Sequence, residues 1–231
     1  KKIDMQQREH ACETQYKQIL SDYLANGLDE ELVREIEHKY IRRERDEYIL
    51  DPAVYLPTGL VIGMPLPSKL NITINKLISE LRSIVKVATV PSDKLHITLI
   101  NKTHFQHSSG ELSYFNCDDI HKAYEKIKEY KPCQIKICFN GILVTKSGKI
   151  WICGYPENGN FFYLRHILTK DGGWFASSDT AHLKIGHTVE KVKGSYEKAL
   201  QDFIKDNQNL FLGTFKFNQL RSTYCVEIPL I

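Results

Sequence analysis

From Gly59 onward, short apolar runs alternate with segments whose apolar residues recur at every third or fourth position. That alternation constrains the fold more than any other feature. A two-residue period buries one face of a strand, and a 3.6-residue period buries one stripe of a helix. Residues 59–64 read as a buried strand ended by Pro65 and Pro67. A helix capped by Asn71 or Thr73 then carries Ile74, Leu77, Ile78, Leu81, Ile84 and Val85 on one face. Pro91-Ser92-Asp93 is a turn that delivers the chain into a second apolar strand, residues 95–100.

The alternation continues beyond a polar stretch at 101–117, which holds His104 and His107 and reads as a surface loop. Residues 118–131 form a helix with Ile120, Ala123, Tyr124 and Ile127 inward, ending before Pro132. Residues 134–144 and 149–155 read as a β-hairpin around Ser147-Gly148, with Gly141 marking a bulge. A helix starting at Asn158 or Asn160 buries Phe161, Leu164, Ile167 and Leu168 before Gly172-Gly173 stops it. After a strand at 182–187 come a helix bearing Tyr196, Leu200, Phe203 and Ile204 and a closing hairpin over 213–228.

The first fifty-five residues follow a different pattern. Cys12, Tyr16, Ile19, Leu20, Tyr23 and Leu24 mark one buried stripe of a helix that Gly27 ends. Asp29 is placed as the N-cap of a second helix carrying Glu30 and Glu31 in its first turn and Leu32, Ile36 and Tyr40 on its apolar side. The mixed-sign residues 41–47 read as its solvated end. Pro52 and Pro57 then break the helical pattern, so residues 1–55 are expected to be a helical extension and 56–231 a separate domain. The apolar stripe of the extension makes it a candidate for docking onto a protein partner.

Composition narrows the chemistry. A net charge of +3 on 231 residues is too small for a general nucleic-acid surface, so any anion site has to be local. The six cysteines form no C-x-x-C pair and no zinc-like spacing with histidine, which argues for reduced thiols in a cytoplasmic protein without a structural metal. No apolar run is long enough to cross a bilayer. The chain begins Lys1-Lys2 without a methionine, as expected of a piece of a longer polypeptide. P-loop, zinc-protease, dinucleotide and nucleophile-elbow motifs are all missing from the sequence.

Two histidines are left as the catalytic candidates. His96-Ile97-Thr98-Leu99 and His182-Leu183-Lys184-Ile185-Gly186 each place a histidine in an apolar strand with a phosphate-holding side chain two residues on. In a regular strand those two side chains share a face. One buried histidine alone is more often structural, but two in matching contexts can supply a neutral ring as base and a charged ring as acid at one pH. Phosphodiester cleavage needs that pair, while the Thr98 hydroxyl and Lys184 ammonium donate to the non-bridging oxygens without a metal or cofactor. His187, at an odd offset from His182, points to the opposite face of a regular strand and reads as structural. Tyr224 is a core position rather than a cleft residue. Trp174 and Phe175, in the glycine-rich loop before the second motif, are either stacking rings of a mobile loop or anchors to the core.

These motifs resemble those of the 2H phosphoesterases, the LigT-like or cyclic-phosphodiesterase-like family, whose signature is two H-x-[ST] motifs in apolar strands. The resemblance runs from about residue 56 to 231. Lys184 departs from it, standing where threonine or serine is expected. The resemblance implies an α+β, two-lobed fold in which antiparallel sheets line a central cleft and helices pack outside. It also implies His96 and His182 as the acid/base pair, Thr98 and Lys184 as phosphate donors, and a cyclic nucleotide, 2',5'-linked oligonucleotide or RNA end as substrate. Either histidine can be the base, according to how the substrate lies. Lys184 keeps a donor and adds a charge, yet that charge disfavours a protonated histidine nearby, so the alternative is a nucleotide- or RNA-binding module with impaired turnover.

Overall fold

The structure, a computed structural model, describes residues 4–51, 59–102, 117–130, 134–170, 173–189, 195–222 and 227–230. The proline break and domain boundary near residue 55, His104, His107 and Tyr224 lie outside those residues. The architecture is α+β, as the resemblance implies, with a mixed rather than wholly antiparallel sheet. None of the described helices is long and apolar enough to cross a membrane.

Helix α1 (Met5–Asn26) starts at Asp4, whose side chain accepts from Gln7 N, and stops at Gly27, whose positive φ lets its N–H return to Tyr23 O. Helix α2 (Glu30–Tyr40) is capped by Asp29, which accepts from the amides of Glu31 and Leu32. The solvated helical end expected over 41–47 is instead a hairpin, β1 (Ile41–Glu44) and β2 (Glu47–Leu50), turning at Arg45. Arg45 sits at φ 55, a conformation that arginine does not advertise, so the turn carries no glycine or asparagine signal. β2 pairs parallel with β4 (Val87–Thr89), which is where the sheet departs from the antiparallel expectation.

β3 (Gly59–Ile62) is fully buried, as its unbroken apolar run requires. Helix α3 (Ser68–Arg82) follows Pro67 without a side-chain cap and starts several residues before the expected Asn71 or Thr73. It buries Leu70, Ile74, Leu77, Ile78 and Leu81. β5 (Ile97–Asn101), α4 (Cys117–Tyr130), β6 (Ile135–Val144), β7 (Lys149–Pro156), α5 (Asn160–Thr169), β8 (Leu183–Thr188) and α6 (Ser195–Asn207) follow where the periodicity puts them. The expected bulge is present. Pairing of β6 with β7 shifts between Phe139 and Ile142, and Gly141 holds φ 94 at a point where a Cβ would meet Gln208 O at 2.3 Å.

The closing hairpin is rearranged. β9 (Phe211–Phe217) pairs with β6, whereas β10 (Gln219–Ser222) pairs with β3 and with β11 (Glu227–Pro229). β8 is the seam of the sheet: one edge runs along β7, and the other meets β5 at its start and β4 at its end. α1 packs across β6 and β7, burying Cys12, Tyr16 and Tyr23, so the apolar stripe of the N-terminal helix lies against this sheet.

Candidate active site

Register brings the two histidine motifs together. β5 and β8 meet in one antiparallel pair, Ile97 opposite Leu183. Each histidine stands one residue ahead of its strand, and carrying the pairing one residue either way sets His96 opposite Lys184 and Thr98 opposite His182. Cross-strand neighbours share a face, and the backbones of His96 and His182 occupy diagonal positions, about 7–8 Å apart. On the other edge of β8, Trp151 pairs with Lys184. His96, Lys184 and Trp151 therefore form one row across three strands, with Thr98 and His182 in the next. All five side chains are half-buried.

Each imidazole is held through Nδ1, by different atoms. His96 Nδ1 donates to Lys94 O at 2.7 Å; because a carbonyl only accepts, this fixes the proton on Nδ1 and puts the neutral ring's lone pair on Nε2. His182 Nδ1 lies 2.6 Å from the Thr180 hydroxyl, and its ring stacks on Trp151 with centroids 3.6 Å apart and planes 8° from parallel. Thr180 Oγ1 is also 3.0 Å from Ser178 Oγ and hydrogen-bonds the phenol of Tyr16 on α1. Tyr16 Oη in turn accepts from Gly154 N and donates to Gly154 O, each at 3.1 Å.

Arg165, buried in the middle of α5, ties the two motif strands at their backbones. Its guanidinium donates to Leu99 O at 2.6 Å and Thr98 O at 3.2 Å on β5, and to Ser178 O at 3.1 Å and Thr180 O at 2.9 Å just before β8. The Phe161 ring lies 4.3 Å from its carbon centre. Burial lowers the guanidinium to about 10, which leaves it charged at neutral pH. A cation whose hydrogen bonds all go to backbone carbonyls keeps its positive field, and that field reaches His182.

The charges acting most strongly on the site are positive. His182 is pushed down to about 3, first by burial and then by Arg165, Lys149, His96 and Lys184. His96 is lowered by burial and by Lys184, against the raising effect of its bond to Lys94 O. Lys184 is lowered to about 7 by burial and by Lys149, and Lys149 is itself lowered by burial. With nothing bound, both rings are neutral near pH 7. An arriving anion opposes every one of these shifts, because it favours the charged form of each group.

His187 departs from its expected orientation. Pairing of β8 with β7 shifts between Ile150 and Trp151, so β8 contributes one extra residue there and His187 comes opposite Lys149. The ring is nevertheless fully buried, with Nδ1 donating to Thr188 O at 2.5 Å, and burial lowers it to about 4. Of the two loop aromatics, Trp174 is buried, and Phe175 exchanges two 2.8 Å backbone bonds with Asn101, so both anchor the loop to the core. Among the described residues no group of three His, Cys, Asp or Glu side chains is close enough to hold a metal ion.

No known family model and no curated protein matches this sequence. Among solved structures, the chain is similar to Kluyveromyces marxianus Usb1 with uridine monophosphate, at TM-score 0.47, and to Kluyveromyces marxianus Usb1 alone, at TM-score 0.46. Both are 12% identical to this chain, covering 74% of it and 97% of their own length.

The sequence pointed to His96, Thr98, His182 and Lys184, and the fold places all four on one face. It did not point to Trp151, Lys149, Thr180, Tyr16 or Arg165. Two of these left a trace. Thr180 precedes His182 by two positions, and Arg165 is a charge within the apolar stripe of Phe161, Leu164 and Leu168, where an unpaired arginine is rarely tolerated.

Proposed function

We propose that the protein is a metal-independent phosphodiesterase of the two-histidine, 2H type, acting on a 2',3'-cyclic or 2',5'-linked nucleotide or on an RNA-terminal phosphodiester. The observation that carries this reading is the β5–β8 register, which gathers two imidazoles, a hydroxyl and an ammonium within an otherwise cationic surround. On this reading β8 is the seam between the two lobes, one built on β3, β5, β10 and β11 and the other on β6, β7 and β9.

The chemistry runs on side chains alone. A neutral imidazole takes the proton of the attacking oxygen as the new P–O bond forms. The opposite imidazolium gives its proton to the departing oxygen as the old P–O bond breaks, so the two rings exchange protonation states. Thr98 and Lys184 donate to the non-bridging oxygens as charge builds on them. The acid is created by binding, because the substrate's negative charge raises both histidines and Lys184 from their depressed values.

A second reading, a nucleotide- or RNA-binding module with impaired turnover, is favoured by one observation: His182 is held at about 3 with Lys184 adding to that effect, which deprives the pair of its acid. Incubation with 2',3'-cyclic nucleotides and 2',5'-oligoadenylate in EDTA separates the two. The enzyme reading expects turnover in chelator that His96→Ala and His182→Ala each abolish. Calorimetric binding of nucleotide without product supports the second reading and counts against the first.

A further inference from the structure

A groove of about 800 Å³ opens beside the histidine site, between the C-terminal half of α1 and the turn joining β6 to β7. Gln18 and Asp22 of α1 line one wall, and Lys146 and Lys149 line the other. Trp151 lines it too, and is the same ring that stacks on His182. Lys149 likewise belongs to both places, since its charge lowers His182 and Lys184. Neither histidine lines the groove, so a ligand that fills both places extends beyond the phosphoryl group held between the histidines.

The walls are fixed to one another before any ligand arrives. Asp29, at the start of α2, donates its amide to Lys146 O at 2.8 Å, which ties the α1–α2 corner to the hairpin turn. Within the turn, Thr145 N donates to Lys149 O at 2.9 Å, and Lys149 N donates to Thr145 Oγ1 at 3.1 Å. Asp22, the carboxylate of the lining, accepts from Asn26 Nδ2 at 2.8 Å. What the groove offers is two ammonium groups, an indole and two amides beside the Asp22 carboxylate, on a hydrogen-bonded frame. That is the equipment of a single-strand nucleic-acid channel, in which cations track phosphates and an aromatic ring takes a base. Trp151 joins the groove to the histidine site, its ring 3.6 Å from that of His182.

We infer that this groove holds the nucleotides flanking the scissile phosphate, and that the substrate class is an oligonucleotide rather than a mononucleotide. The inference rests on the phosphodiesterase reading and assigns α1 as a wall of the substrate channel.

The test compares a mononucleoside 2',3'-cyclic phosphate with a tetranucleotide ending in the same group, for the wild type and for Lys146→Glu, with thermal melting as the check on folding. The expected result is at least about tenfold higher kcat/KM on the tetranucleotide, since each stacked base contributes on the order of tenfold. Lys146→Glu should remove most of that advantage through KM and leave the mononucleotide rate unchanged. Lys146→Gln should flatten the salt dependence of tetranucleotide binding by about 0.7 in log–log slope. Equal turnover of both substrates, or an unaffected Lys146→Glu variant, overturns the channel while leaving the phosphodiesterase reading standing. Length-dependent, Lys146-dependent binding with no turnover of either substrate, nor of 2',5'-oligoadenylate, supports the channel as a binding groove and overturns the phosphodiesterase reading.

Discussion

His96 and His182 each stand one residue before a strand and two residues after the group that holds Nδ1, but that group is a backbone carbonyl for one and a threonine hydroxyl for the other. A carbonyl can only accept, so His96 is locked in one tautomer. Thr180 has one proton to give. Spent on Tyr16 or Ser178, it leaves the oxygen to accept from His182 Nδ1–H, and His182 matches His96; spent on His182, it sets the opposite tautomer. The charged surroundings differ as well. Burial, Arg165 and Lys149 press on His182, whereas Lys184 alone is the main charge on His96. Matching motifs thus give one fixed and one adjustable imidazole, and the adjustable one is set by side chains that mutation can reach.

The comparison breaks most visibly if one histidine proves dispensable. His96→Ala and His182→Ala should each lower kcat on a cyclic or oligonucleotide substrate by about 100-fold or more, the ordinary share of a general acid or base. The double variant should be little worse than either single one, because the two act as a unit. A single variant with near-normal turnover would remove the pair from the mechanism.

Thr180→Val sharpens the contrast, since it strips the Nδ1 partner from His182 alone. A lost hydrogen bond of about 1 kcal/mol lowers kcat roughly five- to tenfold. KM should stay unchanged and His96 unaffected.

The third test is of charge. Lys184 holds its proton below about 7, so anion binding to the free protein should weaken as the pH rises through that value. Lys149→Met removes the cation that depresses Lys184, raises its pKa and moves the weakening to higher pH. Calorimetric titration of a nucleoside monophosphate at several pH values should then show the weakening limb displaced to higher pH than in the wild type. An unmoved pH limb contradicts the coupling.

Stability should respond in the opposite direction. His182 and His187 are held neutral in the fold at about 3 and about 4, whereas the unfolded chain protonates them near 6.5. Between pH 6.5 and about 4 the unfolded state binds more protons, so stability is lost as pH falls through that window. Melting temperatures should drop by several degrees from pH 7 to pH 5, and a flat profile would contradict the burial of both rings. The smallest expected effect is that of Tyr16→Phe, roughly a twofold change in kcat transmitted through Thr180, with no counterpart on the His96 side.

Much of the scaffold was legible because local rules decide it. Asp29 at a cap, Gly27 at a helix end and Gly141 at a bulge sit where their side chains, or lack of one, satisfy the backbone. The β1–β2 hairpin was not legible. Arg43, Glu44, Arg45 and Asp46 spell a solvated helix surface, and the strand conformation is supported by pairing with β4, some forty residues away in sequence. The closing strands misled for the same reason. β9 and β10 are neighbours in sequence but find partners in β6 and β3, and no local period carries that choice.

By itself the sequence determined the alternation of elements, the two histidine strands and the threonine and lysine beside them, because periodicity and capping act within a few residues. Only the tertiary structure decided that Ile97 pairs with Leu183, that Arg165 fastens both motif strands, and that α1 walls the groove next to Trp151. Those outcomes depend on which strand edge meets which and on where a buried cation finds its carbonyls, and both are settled by long-range pairing and burial rather than by any neighbourhood along the chain.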